Sequence, residues 1–403
     1  MNLHAVIVAY LYLANIVFEF RATESFHAAR MHRTHMRPNL KNLSALGGPK
    51  DEKASKDLLK KPKPSTSSSG SPGASSTADK QCDYLIFVVH GVGGTEKGLN
   101  KNADQFRQAL EMVKLQSFQP VPCDTHVEMI NWKTSIFSEQ DRILSRLKPD
   151  SKGDVSSLRD TVNSAAADIM YYMAPRRKEA LLKDVSNQMN KVYEKLVKQN
   201  PQKFSNAKVA VVGYSLGSMI VYDMLSGQPD RLLEGADDSA SSGKAANYPG
   251  MQLQFKVSWL FLWGSPLSAY LALTNPGDSP AKLDLAHRLR SYFNIYHPLD
   301  PVAFRQEPLY YGEAVPTKPA VALPHWYRED ASINKDLATI EADKDHPRLD
   351  YVLQSSASGG LGTLMTGLAM YNAHGSYWDS KDIALFILHK LTGFTPLPPK
   401  KKN

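Results

Sequence analysis

The sequence predicts an α/β fold built on a mostly parallel sheet, and three observations lead to this prediction. Apolar runs of strand length, such as Tyr84 to Val89, show no polar alternation, which is typical of strands buried on both faces. Stretches with helical periodicity separate these runs along the chain. The hydrophobic fraction of 42% is ample for a large core, and no repeat of fixed period is visible.

The elements alternate in chain order, which indicates one folded domain over residues 81–396. The predicted strands lie in YLIFVV, THVEMINW, KVAVVG, QFKVSWLFLWGSP, YFNIYH and RLDYVLQ. The predicted helices lie in NADQFRQALEMVKL, SLRDTVNSAAADIMYYM, ALLKDVSNQMNKVYEKLVKQN, GSMIVYDMLSG and KDIALFILHKL. The helical region 133–182 falls between the second and third strands, where a helical cap over a site and plain crossover helices fit the pattern equally well.

The two ends of the chain differ in composition from this domain. Residues 1–80 join an apolar segment, a basic tail and a Ser/Pro/Gly linker that is predicted to be disordered, and residues 397–403 form a basic tail. Residues 1–64 hold 11 of the 48 Lys and Arg and 5 of the 40 Asp and Glu. When these residues and the three lysines near the C-terminus are left out, 34 basic and 35 acidic residues remain. This balance argues against a nucleic-acid enzyme and favours basic tails that lie on anionic membrane.

Ala5 to Phe18 is an apolar run of 14 residues, which is short for spanning about 30 Å of hydrocarbon. Its length suits a signal-peptide core, but no Lys or Arg precedes it and no small-x-small cleavage site follows. An interfacial segment and a disordered leader are the alternatives. The two cysteines, Cys82 and Cys123, are too few for a disulfide scaffold and are interpreted as free, small core residues in a reducing compartment.

Gly213-Tyr214-Ser215-Leu216-Gly217 matches the G-x-S-x-G pattern between a predicted strand and a predicted helix. A serine at so sharp a turn has a strained backbone, and the residues two before and two after it must be small. The turn presents the serine Oγ at the carboxyl end of the sheet, above a helix N-terminus that carries partial positive charge. Ser215 is therefore the predicted nucleophile of an α/β-hydrolase.

A serine nucleophile needs a histidine base and an acid that holds it, in the chain order Ser, acid, His. Asp300 directly follows the predicted strand YFNIYH between two prolines, and His374 lies in a loop before the last helix. Asp350 is an alternative acid, but it opens a strand and should lie at the other end of the sheet. His297 is interpreted as a packed or hydrogen-bonded residue. The remaining competitors, His325, His346 and His389, are interpreted as solvated or structural.

The loop HGVGG, His90 to Gly94, follows the first strand and is rich enough in glycine to turn backbone N–H groups inward. The predicted oxyanion donors are the N–H groups of Val92 and Leu216. A nucleotide phosphate loop is the competing interpretation, but the P-loop Lys-Ser/Thr and the dinucleotide spacing are missing. No zinc-ligand spacing appears, so no metal and no organic cofactor are expected.

Several further motifs together resemble the DDHD-domain family of intracellular phospholipases A1. They are GYSLGSMIVYDML, FLWGSPLSAYLAL, NIYHPLDPVAFRQEPL, RLDYVLQ and SYWDSKDIALFIL, with LRDTVNSAAADIMYYMAP and NQMNKVYEKLVKQNP upstream. The resemblance covers about residues 83–393. The four residues for which the family is named match Asp300, Asp350, His374 and Asp382. The family usually has His at the position of Tyr214, whose side chain we expect to point away from the serine Oγ.

The resemblance implies a cytoplasmic enzyme, peripheral on membranes of the endoplasmic reticulum and Golgi, that cleaves the sn-1 ester of phospholipids and often of phosphatidic acid. A secreted or membrane-anchored protein is the alternative that the apolar N-terminus raises. His90, Asp350 and Asp382 are expected to support the site or the fold without taking part in the chemistry. Two other functions remain open, a neutral glycerolipid lipase and a non-catalytic scaffold that binds lipid or a coat protein.

Overall fold

The computed structural model describes most of the region predicted to fold. The described residues are 83–117, 123–147, 155–233, 250–275, 281–289, 291–312, 316, 318–327, 335–337, 347–354 and 372–393, without the side chains of 155–159, 161 and 162. The predictions for residues 1–80 and 397–403 lie outside the described residues, as do Cys82 and His346.

Within the described residues, seven strands form one sheet in the order β2-β1-β3-β4-β5-β7-β6. They are β1 (Tyr84–Val89), β2 (Thr125–Ile130), β3 (Lys208–Tyr214), β4 (Val257–Trp263), β5 (Tyr292–Tyr296), β6 (Val321–Ala322) and β7 (Asp350–Val352). Each neighbouring pair is parallel. The predicted parallel α/β sheet is therefore confirmed, and the two-residue β6 is the strand that the sequence pattern missed.

Helices connect these strands. They are α1 (Glu96–Ser117), α2 (Lys133–Leu147), α3 (Val155–Met173), α4 (Pro175–Gln199), α5 (Pro201–Phe204), α6 (Leu216–Ser226), α7 (Leu267–Thr274), α8 (Asp284–Arg288), α9 (Glu307–Tyr311) and α10 (Lys381–Thr392). In the described part of the chain, no helix combines the length and the apolar character that crossing a bilayer requires.

The side chains of β1 explain why the sheet lies between two helical layers. Ile86 and Val88 belong to one apolar cluster with residues of α1 and α10. Leu85, Phe87 and Val89 point the other way, into a cluster with residues of α4 and α6. All five are fully buried, and full burial of such a side chain contributes about 1.5–3 kcal/mol. The sequence of β1 must therefore be apolar throughout, because both faces of the strand are buried.

The helical region 133–182 contains α2, α3 and the start of α4. α4 turns one face into the core beneath the sheet, as a crossover helix does, with buried Leu181, Leu182, Val185 and Met189. α3 has a further contact, because its Asp168 accepts a hydrogen bond from the backbone of the loop after β1. Cys123 is buried in the core, which agrees with its interpretation as a packed residue.

Candidate active site

Ser215 lies at a strained turn between β3 and α6. Its φ of 53° and ψ of −124° make it the one non-glycine residue with positive φ in the described part of the chain. Its N–H donates to the carbonyl of Trp263 on β4 at 2.9 Å, which fixes the turn to the neighbouring strand. Such a conformation costs about 1–3 kcal/mol and persists where surrounding structure imposes it. This turn after an interior strand of a parallel sheet identifies the α/β-hydrolase fold.

The two glycines of the motif are required by close approach of the backbone. A Cβ at Gly213 would lie 2.6 Å from the Cα of Ser218, and one at Gly217 would lie 2.1 Å from the carbonyl oxygen of Val89. Because Gly217 has no side chain, the first turn of α6 can lie directly against the backbone at the end of β1. The steric argument made from the sequence therefore applies at both positions.

The side chains of the predicted nucleophile, base and acid form one hydrogen-bonded chain. His374 Nε2 lies 3.1 Å from Ser215 Oγ. His374 Nδ1 lies 2.9 and 3.0 Å from the two carboxylate oxygens of Asp300. Because a carboxylate only accepts, Nδ1 carries the hydrogen and Nε2 is left to accept the serine proton. The relay joins three elements of the chain, the β3–α6 turn, the loop after β5 and a short helical turn before α10.

Asp300 is buried and is held as a carboxylate by its neighbours. Burial by itself would raise its pKa, but hydrogen bonds from His374, from the Tyr377 hydroxyl at 2.5 Å and from the Val302 N–H at 2.8 Å keep the pKa below its ordinary value. His297, at the start of the same turn, accepts a hydrogen bond from the Leu299 N–H through Nδ1 at 3.1 Å, as the sequence interpretation of a hydrogen-bonded residue expects.

The loop HGVGG lies against the serine. A Cβ at Gly91 would come within 2.7 Å of the Ser215 Cβ, so the loop backbone passes directly beside the nucleophile. Val92 is half-buried next to it. Leu216 begins α6, and the first N–H groups of a helix have no acceptor within it. The two predicted oxyanion donors are therefore on the backbone segments that flank Ser215.

His90 is buried under this loop and holds it from below. Its Nδ1 donates to the Gly91 carbonyl at 2.7 Å, its ring stacks on Trp132 at 4.9 Å, and its own carbonyl accepts from the indole N–H at 2.8 Å. Burial is the main reason that the pKa of His90 falls to about 4. The ring is therefore neutral at pH 7, and its contacts lie beneath the loop.

Asp350 lies in a separate buried network. Its carboxylate accepts hydrogen bonds from the backbone N–H groups of Gln306 and Glu307, from the Asn294 amide and from the Arg305 guanidinium. Burial raises the pKa of Asp350, while these hydrogen bonds oppose the rise. The network ties β5, β7 and the start of α9 together, and His374 is bonded to Asp300 instead.

Asp382 also stabilises the fold. Near the N-terminus of α10 it accepts hydrogen bonds from His325 Nδ1 at 3.0 Å and from the Trp326 N–H at 2.8 Å. His389 is buried in the same helix. Within the described residues, no group of three or more His, Cys, Asp or Glu side chains is arranged to hold a metal ion.

A family model described as the DDHD domain matches residues 253–345 and 327–392. The matched ranges contain Asp300, Asp350, His374 and Asp382, the set that the sequence motifs indicated. This part of the chain is therefore similar to the DDHD domain. Ser215 and the loop after β1 precede the matched ranges.

Curated relatives extend the likeness upstream. Phospholipase DDHD1 of Mus musculus is 31% identical over 295 residues, which cover 61% of this chain and 52% of the relative. Intracellular phospholipase A1 of Caenorhabditis elegans is 30% identical over 59% of this chain and 32% of the relative. A probable mitochondrial phospholipase of Saccharomyces cerevisiae is 28% identical over 77% and 50%. The match thus spans about half or less of the relatives' own length.

A solved structure of an acetylxylan esterase aligns with 56% of this chain and 87% of its own, at 14% identity and a TM-score of 0.26. The overlay is too loose to add to the fold assignment, which follows from the parallel sheet and the turn at Ser215.

Two aromatic residues contact the relay in ways that the sequence did not predict, Tyr214 of the G-x-S-x-G turn and Tyr377. Tyr214 stacks on the His374 ring at 5.1 Å and donates its hydroxyl to the His374 carbonyl at 2.7 Å. Tyr377 donates to Asp300 and accepts from the His297 N–H at 3.0 Å. Tyr214 therefore contacts His374 directly through both its ring and its hydroxyl. In sequence, only the departure from the family pattern marked Tyr214.

Proposed function

We propose that this chain is a serine carboxylic ester hydrolase of the DDHD-domain family that removes a fatty acyl group from membrane glycerophospholipids. The observation that carries the proposal is the hydrogen-bonded order Ser215, His374, Asp300 on a strained strand-to-helix turn. A serine in this setting has both a base within reach of its proton and an acid that fixes the tautomer of the base.

In the first half of the reaction, Ser215 Oγ attacks the ester carbonyl carbon while His374 Nε2 takes the hydroxyl proton. The carbonyl oxygen becomes an oxyanion, which accepts hydrogen bonds from the N–H groups of Leu216 and Val92. Loss of one such donor lowers kcat by about 10²–10³ in a comparable site. His374 then gives its proton to the departing glycerol oxygen, and the acyl group remains on Ser215.

In the second half, His374 takes a proton from water, and the resulting hydroxide attacks the acyl carbonyl. The tetrahedral intermediate collapses, the C–O bond to Ser215 breaks, and the serine oxygen takes back the proton from His374. Asp300 stays ionised throughout and stabilises the imidazolium form that occurs in both halves. These steps use only groups of this chain, the substrate and water.

A lipid substrate is supported by the names of the relatives and by exposed apolar side chains on the segments that follow β4 and β5. Phe304 lies four residues after Asp300 and is 46% exposed, and Leu273 lies near the end of α7, the helix after β4, and is 68% exposed. Phosphatidic acid is the proposed head-group class, and the sn-1 ester the proposed bond. We propose that residues 81–396 form the hydrolase domain, and that the basic tails 1–80 and 397–403 assist peripheral binding to cytoplasmic faces of endoplasmic reticulum and Golgi membranes.

A lipid panel tests substrate and reaction together. Vesicles that contain phosphatidic acid, phosphatidylcholine or diacylglycerol are incubated with the full chain and with Ser215→Ala, and mass spectrometry follows the release of fatty acid and lysolipid. The proposal predicts release from the phosphatidic acid vesicles by the wild type only. Release from diacylglycerol alone would favour a neutral-lipid lipase, and no release from any lipid would favour a non-catalytic scaffold.

A further inference from the structure

A buried ion pair contacts the loop that follows β1. Asp168 of α3 is fully buried, and its Oδ2 accepts hydrogen bonds from the Gly93 N–H at 2.9 Å and from Lys133 Nζ at 2.8 Å. Lys133 begins α2, is 7% exposed, and also donates to Ser164 Oγ at 2.7 Å. The pair thus joins two helices to the backbone of the loop HGVGG.

Stability alone does not explain this pair. A buried ion pair often contributes no more than a well-packed apolar pair of the same size, because both charges lose their hydration. Here the carboxylate is not even fully satisfied, since Asp168 Oδ1 is buried without a hydrogen-bond partner among the described residues. A feature that is costly to bury and lies beside a candidate active site calls for a functional explanation.

The place where the pair meets the loop gives that explanation. Gly93 has a φ of +69°, and its N–H is engaged by Asp168, so this N–H does not face the reacting centre. Two residues earlier, Gly91 passes beside Ser215. An anchor at Gly93 therefore fixes the direction of the intervening peptide, which carries the Val92 N–H.

Charge explains why the anchor is paired with a lysine. An isolated carboxylate bonded to this loop would repel the negative charge that develops on the substrate oxygen next to Ser215. Lys133 Nζ, 2.8 Å from the same carboxylate oxygen, offsets this charge. The anchor can then hold the loop without opposing the oxyanion.

We propose that Asp168 and Lys133 are positioning residues for the oxyanion loop. Asp168 fixes the loop through Gly93, and Lys133 cancels the charge of the anchor. The inference rests on the proposed ester hydrolysis and names residues that act on it through the loop.

Four variants of the full chain separate the two roles. Asp168→Ala removes the anchor, Asp168→Asn keeps an acceptor for the Gly93 N–H, Lys133→Met leaves the carboxylate uncompensated, and the double variant Lys133→Met/Asp168→Asn keeps a neutral acceptor without either charge. Arg348→Met is the matched control, because it breaks a partly buried ion pair with Glu307, away from the loop. Thermal unfolding identifies the variants that are folded at the assay temperature.

Activity is measured on a soluble short-chain p-nitrophenyl ester, and the oxyanion contact is measured by the inhibition constant of a trifluoromethyl ketone, which forms a charged adduct with a serine. We expect Asp168→Ala and Lys133→Met each to lower kcat by 10- to 100-fold, with KM changed less than threefold, and to weaken the inhibitor in parallel. Asp168→Asn and the double variant should keep kcat within about fivefold of the wild type, as should Arg348→Met.

Two results would overturn the inference while leaving the proposed function intact. One is an active wild type with unchanged kcat in Asp168→Ala. The other is a folded double variant as slow as Lys133→Met. A wild type that hydrolyses no ester would instead contradict the proposed function, and this inference with it.

Discussion

Asp300→Asn replaces one carboxylate oxygen by an NH₂ group and leaves the size of the side chain nearly unchanged. The carboxylate accepts from His374 Nδ1, from the Tyr377 hydroxyl and from the Val302 N–H. The amide oxygen can still accept from Val302. The NH₂ group must then take the place of Oδ2, where it donates to Tyr377 and to His374 Nδ1.

That donation reverses the histidine tautomer. Nδ1 becomes the acceptor, and the ring hydrogen moves to Nε2, which faces Ser215 Oγ at 3.1 Å. A protonated Nε2 cannot take the serine proton. The corresponding loss in the serine-protease triad is about 10⁴ in kcat, which is about 5 kcal/mol of transition-state stabilisation. We expect a similar loss here, with little change in the free energy of unfolding.

Asp350→Asn is the matched control, because Asp350 is also buried but does not contact the histidine. Its carboxylate accepts hydrogen bonds from Gln306, Glu307, Asn294 and Arg305. The variant should lower the free energy of unfolding by about 2–3 kcal/mol and change kcat less than about threefold. The assay is kcat on a soluble ester combined with denaturant unfolding. A folded Asp350→Asn that is inactive, beside a nearly normal Asp300→Asn, would refute the assignment of Asp300 as the acid.

Three further predictions concern the turn, the base and the loop. Gly217→Ala should not yield a folded protein, because its Cβ would lie 2.1 Å from the Val89 carbonyl oxygen. The control Gly375→Ala should fold, because there is open space around its Cβ. Equal thermal unfolding of the two variants would contradict this prediction. Tyr214→Phe loses the hydrogen bond to the His374 carbonyl and should lower kcat on a soluble ester by about fivefold or less, about 1 kcal/mol, since the stacking remains. A kcat 100 times lower would mean that the hydroxyl does more than hold His374 in place. The pKa of His90 is about 4 in the folded chain against 6.5 when unfolded, so the unfolded state binds the extra proton and stability should fall by about 3 kcal/mol as the pH drops from 6.5 to 4. Denaturant unfolding of wild type and His90→Gln across this range checks it, and equal pH slopes would contradict it.

Local physical constraints explain which elements could be predicted from sequence. A strand buried on both faces must be apolar throughout, so β1 was visible as an unbroken run from Tyr84 to Val89. Ser215 was visible because its turn admits only small residues at the flanking positions. Asp300 was predicted because the acid of such a site follows a strand at the carboxyl edge of the sheet. β6 was missed because a strand of two residues is too short to show a hydrophobic pattern.

The remaining part of the candidate site depends on contacts between distant segments. Tyr214 and His374 are 160 positions apart, and Gly93 and Asp168 are 75 positions apart. No composition or period of one sequence encodes such a pairing. A tyrosine before the serine and an aspartate in a helix look ordinary in sequence, and only packing brings them to the base and to the loop.

Covalent labelling of Ser215 tests the central claim most directly. The full chain, Ser215→Ala and His374→Ala are treated with a fluorophosphonate probe, and peptide mass spectrometry locates the adduct. We predict rapid labelling of the wild type with the added mass on Ser215, none on that peptide in Ser215→Ala, and labelling slowed at least 100-fold in His374→Ala. A folded wild-type chain that does not label, or that carries the adduct on another residue, would contradict the account.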